Sequence, residues 1–262
     1  MWLEFCKLKI SIITATFNSE KTISDCVRSI NLQTHQEIEH IVIDGESSDN
    51  TVGLIKAVSK RVVLVKSEPD DGIYDALNKG IKLASGDVIG FLHSDDILAD
   101  AHVISKVAKA FEDERVSAVY GDLDYVSKHD SSRVIRRWRS CQYSRWRIFF
   151  GWMPPHPTLY LRREVYSQIG GFDKDFRISA DYLSVLKVFM GQTVVVKYLP
   201  FIIVKMRLGG ISNRSIRSVA IKTYEDFRAL RLSNFSILTA VLIVLLKNVT
   251  KVPQLVFRKI VY

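Results

Sequence analysis

Cysteine is scarce in this sequence. Cys6, Cys26 and Cys141 are the only three in 262 residues. An odd number at scattered spacing argues against a disulfide framework or a cysteine-based metal site, and it makes a reducing compartment the expectation. The histidines His35, His40, His93, His102 and His129 show no metal-ligand spacing either. Long apolar runs are missing: Phe235 to Leu246 falls short of the about 20 residues that a membrane-spanning helix needs. Glu4 interrupts the short apolar start from Met1 to Ile10, and no small-residue cleavage site follows, so this start reads as no signal peptide. Repeats, low-complexity tracts and linker-like boundaries are not visible. What remains is ordinary globular composition. With 47% apolar and 25% charged residues the chain is neither disordered nor collagen-like, and its length suits one large domain or two small ones.

Charge is unevenly spread. The net +9 lies entirely between Lys205 and Tyr262, which hold 11 basic and 2 acidic residues, whereas residues 1–204 carry 26 of each sign. A neutral body with a basic end points to an anionic partner surface, membrane or nucleic acid.

The first half alternates strand and helix signals. Leu8 to Thr14, His40 to Asp44, Val62 to Val65 and Val88 to Leu92 read as strands. Between them lie helical patterns over Thr22 to Leu32, around Val52 to Val58, and over Ile73 to Ala84. Apolar runs alternating with amphipathic helices predict a mainly parallel sheet flanked by helices, with ligands beyond the carboxyl ends of the strands. Further on, Asp100 to Phe111, Arg163 to Ile169 and Asp181 to Met190 read as helices, and Val116 to Tyr120 and Thr193 to Leu199 as strands. Arg133 to Pro157 is rich in Arg, Trp and Pro and carries no clear periodicity. The rest is basic and helical.

Asp44 closes the second strand, and Asp95 and Asp96 close the fourth, so a parallel sheet brings these carboxylates to one edge. Carboxylates held together repel unless a cation joins them, and oxygen ligands of this kind suit Mg²⁺ or Mn²⁺ shared with a phosphate. Asp95 or Asp96 as a mere helix cap is the plainer alternative. Three segments then carry a resemblance: Ser11-Ile-Ile-Thr-Ala-Thr-Phe-Asn18, Val42-Ile-Asp-Gly-Glu-Ser-Ser-Asp-Asn-Thr51, and Gly86-Asp-Val-Ile-Gly-Phe-Leu-His-Ser-Asp-Asp96. Together they resemble a family-2 glycosyltransferase of the GT-A fold. Asp71-Gly-Ile-Tyr-Asp-Ala-Leu-Asn-Lys-Gly80 resembles the branch that builds bacterial surface polysaccharides of colanic acid and O-antigen type.

The resemblance covers residues 8 to 210 as an ordered series. It implies an α/β, Rossmann-like GT-A domain over 1–210, with a nucleotide-sugar half to about residue 100 and an acceptor half over 101–210. A basic amphipathic helical tail over 211–262 follows. Thr14, Ala15, Thr16 and Phe17 would line the base pocket, Asp44 would accept from the base (usually uracil), and Asp71 would lie near base or ribose. Asp95 would face the ribose and Asp96 would hold Mn²⁺ or Mg²⁺ on the diphosphate. His93-Ser94 stands where an acidic residue often begins this motif. Ser179-Ala-Asp-Tyr-Leu183 matches the element carrying the family's general base, which makes Asp181 the catalytic carboxylate; Asp173 and Asp175 are its neighbours and competitors, and a helix cap is its alternative role. His156, in Pro154-Pro-His-Pro157, falls in the loop facing the acceptor.

The activity implied is a metal-dependent inverting hexosyl transfer from a nucleotide-diphospho-sugar, UDP-linked, to a lipid-linked or glycan acceptor. Arg133, Arg136, Arg137, Arg139, Arg145 and Arg147 interleave with Trp138, Tyr143, Trp146, Phe149, Phe150 and Trp152. Such a segment can grip a lipid diphosphate or be a solvated face over core aromatics. A nucleic-acid-binding protein would explain the charge but not the strand-end carboxylates, and the expectation is no nucleic acid. An inactive nucleotide-binding module of the same fold is the other alternative. A nucleotidyltransferase would place a Gly-rich basic loop after the first strand, which Thr14 to Ser19 lacks. The Phe235 to Leu246 run, flanked by Arg228, Arg231, Lys247 and Lys251 and continued by Val252, Leu255, Val256, Ile260 and Val261, reads as an interfacial helix. The expectation is a cytoplasmic protein, peripheral on the inner face of the cytoplasmic membrane. A helix packed on the catalytic domain or an oligomer contact remains the competing role for that run.

Overall fold

The structure is a computed structural model that describes residues 8–191, 194–209 and 216–249. β1 (Ile10–Thr16), α1 (Ile23–Asn31), β2 (Ile38–Asp44), α2 (Thr51–Val58), β3 (Val62–Ser67), α3 (Ile73–Leu83) and β4 (Val88–Phe91) alternate as the sequence predicts. β5 (Ile97–Leu98), α4 (Val103–Ala110), β6 (Val116–Val126), β7 (Val134–Trp138) and α5 (Arg145–Phe149) follow. A 3-10 turn at His156–Thr158 leads to β8 (Tyr160–Arg162), α6 (Arg163–Ile169), α7 (Ala180–Met190), β9 (Val195–Arg207), α8 (Ile216–Leu232) and α9 (Ile237–Val249).

One 9-stranded sheet runs in the order β3-β2-β1-β4-β8-β6-β9-β5, with β7 added on β6. The first four strands are mutually parallel. Strand β8 enters antiparallel between β4 and β6, and β6 pairs parallel with β9. Successive residues of a strand face opposite sides of the sheet. Ile13, Ile41, Ile43 and Ile89 therefore pack in one core, and Ile12, Val42 and Val88 in the other. Helices cover both faces, which is why these strands read as unbroken apolar runs. Two glycines allow the close packing. A Cβ on Gly80 would sit 2.4 Å from Ile13 Cγ2, where α3 lies on β1, and a Cβ on Gly90 would sit 2.2 Å from Tyr160 Cε1, where β8 joins β4.

Some elements differ from the sequence expectation. The strand predicted over Thr193 to Leu199 runs to Arg207 and passes Pro200. Pairing shifts from Gly121–Leu199 to Asp122–Ile202, so the bulge takes Pro200 out of the ladder, where its missing N–H costs nothing. The unpatterned stretch over Arg133 to Pro157 contains β7 and α5, both too short for a readable period. The C-terminal helices are not a loose appendage. Ala229, Leu230, Phe235, Ala240, Ile243 and Val244 are buried in the same core as Leu183, Leu186 and Phe189 of α7. The expected boundary at 210/211 and the apolar pattern from Val252 to Val261 lie outside the described residues.

At the amino edge of the sheet a buried carboxylate ties three segments. Glu39 accepts from Ser11 Oγ (2.5 Å), Ser85 N (2.9 Å), Ser85 Oγ (2.7 Å) and Lys9 Nζ (3.1 Å). Burial pushes its pKa up, but these hydrogen bonds outweigh it and hold the carboxyl at about 2 against an ordinary 4.5. A depressed carboxylate stabilises the fold above its unfolded pKa and loses that stabilisation as pH falls toward its folded one. Glu39→Gln should therefore melt below wild type at neutral pH, with the gap closing between about pH 4.5 and about 2. Melting curves across that range check it, and a pH-independent gap would assign the acid loss to other groups.

Candidate active site

The carboxyl ends of β1, β2 and β4 form one edge, with Thr16 opposite Asp44 and Ile13 opposite Phe91. Along β1 the side chains divide. Thr14 points into the core, its Oγ1 3.0 Å from His40 Nε2 and 4.0 Å from Cys26 Sγ. Ala15 and Thr16 are buried, and Thr16 Oγ1 has no hydrogen-bond partner. Phe17 is 62% exposed at the strand's end. Asp44 is fully buried and accepts from Ser47 N (3.0 Å), Ser47 Oγ (2.5 Å) and Ser67 Oγ (2.6 Å). A carboxylate has about four acceptor positions, so one is left for a ligand.

Two neighbouring carboxylates in the loop after β3 part ways. Asp71 is exposed and lies 3.3 Å from Lys174, in the loop before α7. Asp70 instead lies against Gly45 and Phe17, where a Cβ on Gly45 would meet its Oδ2 at 2.5 Å. Asp70 was not singled out in the sequence, because nothing in the spacing separates it from Asp71.

The turn after β4 is closed by Asp96 N donating to His93 O at 2.9 Å. Asp95 is half-buried and Asp96 fully buried. Asp96 Oδ1 accepts from the backbone N–H of Arg207 at 3.3 Å, and Oδ2 has no partner. Burial first, and the charge of Asp95 second, push the Asp96 carboxyl well above the usual range. The Arg207 guanidinium reaches the Asp95 carbonyl (2.9 Å) and Asp25 Oδ2 (2.6 Å). A buried Arg at the end of the long β9 was the available signal, and it was lost because that strand was expected to stop at Leu199. Among the described residues no group of three or more His, Cys, Asp or Glu side chains is arranged to hold a metal. A cation here would therefore need further ligands, such as phosphate oxygens, besides the free Oδ2 of Asp96.

Across the sheet edge stands Asp181, in the first turn of α7. Its Oδ2 is 3.0 Å from His156 Nδ1, and Tyr74 Oη, donating to Ile178 O at 2.6 Å, lies 3.4 Å from Oδ1. The His156 ring is 6.3 Å from that of His93, centroid to centroid. Burial lowers the pKa of His93, and the charges of Asp95 and Asp181 oppose that, so both carboxylates lie within electrostatic reach of its ring. Burial lowers the pKa of His156, which leaves a neutral imidazole that can donate its Nδ1–H to Asp181. Burial works to raise the pKa of Asp181, but His156, Lys222, the Tyr182 N–H and Lys247 together hold the carboxyl below its ordinary value. It is a carboxylate at neutral pH.

The segment that leads into α7 is anchored from another helix. The N–H groups of Arg177, Ile178 and Ser179 go to Glu225 of α8, at 2.8, 2.9 and 2.9 Å. Next to Glu225, Asp226 pairs with Lys247 of α9 at 2.8 Å, both buried, and Lys247 Nζ sits 3.3 Å from the Tyr182 ring centroid. Glu225 and Asp226 are the two acidic residues of the basic C-terminal stretch. That isolation was the signal that could have found them. The competitors of Asp181 face elsewhere: Asp173 accepts from Asp175 N, and Asp175 is exposed and paired with Arg228 at 3.6 Å. Within the Arg-rich segment, Arg139 bonds Asp124 at 2.7 Å and Arg136 lies over the Tyr125 ring at 3.9 Å, so these two have structural partners. Arg145, Trp146 and Arg147 are exposed.

Comparison with known proteins identifies relatives of the chain. The profile of Glycosyl transferase family 2 matches residues 11–181. The chain is 34% identical over 182 residues to an uncharacterized glycosyltransferase of Mycobacterium tuberculosis, covering 68% of each chain. It is 29% identical over 208 residues to a PGL/p-HBAD biosynthesis glycosyltransferase of Mycobacterium bovis, covering 78% of each. Among solved structures it resembles S. aureus TarS 1–349 in complex with UDP-GlcNAc, with a TM-score of 0.67 and 17% identity over 90% of this chain and 70% of that one. A mannosyltransferase, PcManGT from Pyrobaculum calidifontis in complex with GDP-Man and Mn²⁺, gives 0.63 and 16% over 91% and 70%. At such identities the structural likeness establishes the fold.

Losing the Glu225 anchor has a measurable cost. Glu225→Ala should lower unfolding free energy by about 1–3 kcal/mol, the penalty for stranding buried donors. Glu225→Gln keeps an acceptor oxygen and should lose less. Urea unfolding of both variants tests this, and equal losses would deny the anchor its role.

Proposed function

This chain belongs to glycosyl transferase family 2, and from that premise we propose that it is an inverting hexosyltransferase. It moves a sugar from a nucleotide-diphospho-sugar, UDP-linked, to a hydroxyl of a lipid-linked or glycan acceptor in cell-surface polysaccharide synthesis. One observation carries the reading: Asp181 is held as a carboxylate by His156 and two lysines, and His93 lies within electrostatic reach of both it and Asp95. An ionised carboxylate facing a nucleotide edge is what a general base for a sugar acceptor requires.

In this mechanism the donor's base lies over the ends of β1 and β2. Ala15, Thr16 and Phe17 line it, the backbone of Thr14 contributes, and Asp44 offers its remaining acceptor position. Asp95 and, from the far loop, Asp71 flank the ribose. Asp181 takes the proton from the acceptor hydroxyl. The oxygen then bonds to the anomeric carbon from the face opposite the diphosphate, and the bond from that carbon to the diphosphate oxygen breaks. His156 keeps Asp181 oriented through its Nδ1–H and stands on the acceptor side. The orphaned, buried Oδ2 of Asp96 fits a divalent cation, and Mn²⁺ or Mg²⁺ bound there would supply charge stabilisation for the leaving nucleoside diphosphate. The solved mannosyltransferase with GDP-Man and Mn²⁺ supports that choice of ion. The +9 of residues 205–262 supports peripheral attachment at the inner face of the cytoplasmic membrane, where a lipid-linked acceptor is presented.

Asp96→Ala should abolish the Mn²⁺-dependent part of UDP binding, and Asp95→Ala should weaken it less; calorimetry with and without Mn²⁺ decides, and unchanged affinity in the Asp96 variant would remove it from the donor site. Asp181→Asn should bind UDP as wild type does and lose transfer by about a hundredfold or more. Because His156 and the two lysines hold Asp181 below its ordinary range, the acid limb of kcat in wild type should lie below that of a free aspartate. Turnover of the Asn variant near wild type would move the base elsewhere, and NMR of the product's anomeric proton reads the inversion.

A further inference from the structure

The two sides of α9 differ in what they meet. Ala240, Ile243, Val244 and Lys247 are buried against α7 and α8. The opposite side is Ile237 (59% exposed), Leu238 (83%), Val241 (43%), Leu242 (55%), Leu245 (57%) and Val249 (64%). At 3.6 residues per turn these six fall within a sector of roughly 140° that holds no charged residue. A helix on the surface of a water-soluble domain puts polar side chains there. Helix α5 is joined to the α9 region by the Phe149–Phe235 ring contact at 5.3 Å and by Gly151 packed on Lys247. Trp146 of α5 and Phe150 just after it are 73% and 69% exposed. Exposed apolar surface on this scale marks a docking site.

Charge selects the occupant. Arg145 and Arg147 are exposed on the same short helix as Trp146. The sequence that follows α9 adds Lys251, Arg258 and Lys259 with no acidic residue. Two copies meeting through this face would bring like charges together, whereas an anionic lipid surface attracts them. No described helix is long and apolar enough to cross a membrane. A helix of 13 residues, about 20 Å long, with one apolar face suits the plane of the headgroup layer, and tryptophan with arginine suits its boundary.

We propose that the outward face of α9, together with Trp146 and Phe150, is a lipid-docking surface that settles into the headgroup layer of an anionic bilayer. This deepens the membrane attachment read above by naming the face that makes it. Neither Leu238 nor Leu242 is part of the nucleotide or base machinery, so both can be changed without touching it.

The test uses the full chain with vesicles of phosphatidylglycerol and phosphatidylethanolamine, and with phosphatidylcholine vesicles as the neutral control. Wild type should partition onto the anionic vesicles at least tenfold better than onto the neutral ones at low salt, with a blue shift of tryptophan emission. The double variant Leu238→Glu, Leu242→Glu should lose at least tenfold of that partitioning while keeping its melting temperature and its UDP affinity. Wild type that ignores anionic vesicles, or a double variant that binds them as wild type does, overturns the proposal. A wild-type dimer that the same variant dissociates, with no vesicle binding, overturns it in favour of a second copy. UDP binding is read separately, so its absence would count against the glycosyltransferase reading and not against this face.

Discussion

Three backbone N–H groups just before α7 converge on the Glu225 carboxylate, and the acidic site on the second half of the chain depends on that convergence. A buried segment that leads into a helix needs acceptors for its own donors. Here α8 supplies one, which fixes the turn that presents Asp181 to His156 and Tyr74. Helices α8 and α9 bring Asp226 and Lys247 together beside Tyr182. The C-terminal helices are therefore part of the site's foundation, and cutting the chain near Asn213 would uncover the α7 core along with any outer surface.

Two carboxyls in this molecule are driven in opposite directions. Asp96 is fully buried and Asp181 half-buried, which disfavours the charged form of each. Burial and then the charge of Asp95 push the Asp96 carboxyl well above the usual range, with one oxygen left without a partner. Asp181 has an imidazole N–H and two lysines in reach, and these more than offset burial. Separated protonation preferences in one site are how acid–base roles are divided between like residues.

The parts of the fold that were legible in the sequence are those whose physics is local. β1, β2 and β4 are covered on both faces, so they read as apolar runs, and α1 and α3 show their buried stripe at Ile23, Cys26, Val27, Ile30 and at Ala76, Leu77, Gly80. Asp44, Asp95 and Asp96 could be placed at strand ends from the apolar runs before them, whereas Asp181 was singled out only by resemblance to the family's motif. β5, β7 and β8 are two to five residues long and are made by their partners, not by their own pattern. Arg207 and Glu225 act through contacts across 46 or more residues, such as Ser179 with Glu225, and no local rule reaches that far. The apolar run of α9 was visible, but its division into a packed side and an open side needed the neighbours.

That division fixes a height. Lys247, on the inner side of α9, touches the ring of Tyr182, the residue next to Asp181, while Leu238 and Leu242 face away from the domain. The helix that separates this outer face from the Tyr182 ring is about 10–12 Å across with its side chains. If α9 rests on lipid, that thickness acts as a spacer. It favours acceptors whose free hydroxyl stands close above the headgroups, such as the first sugars on a carrier, and disfavours the far end of a long chain. Chain length, in such an enzyme, would be gauged by the girth of a helix.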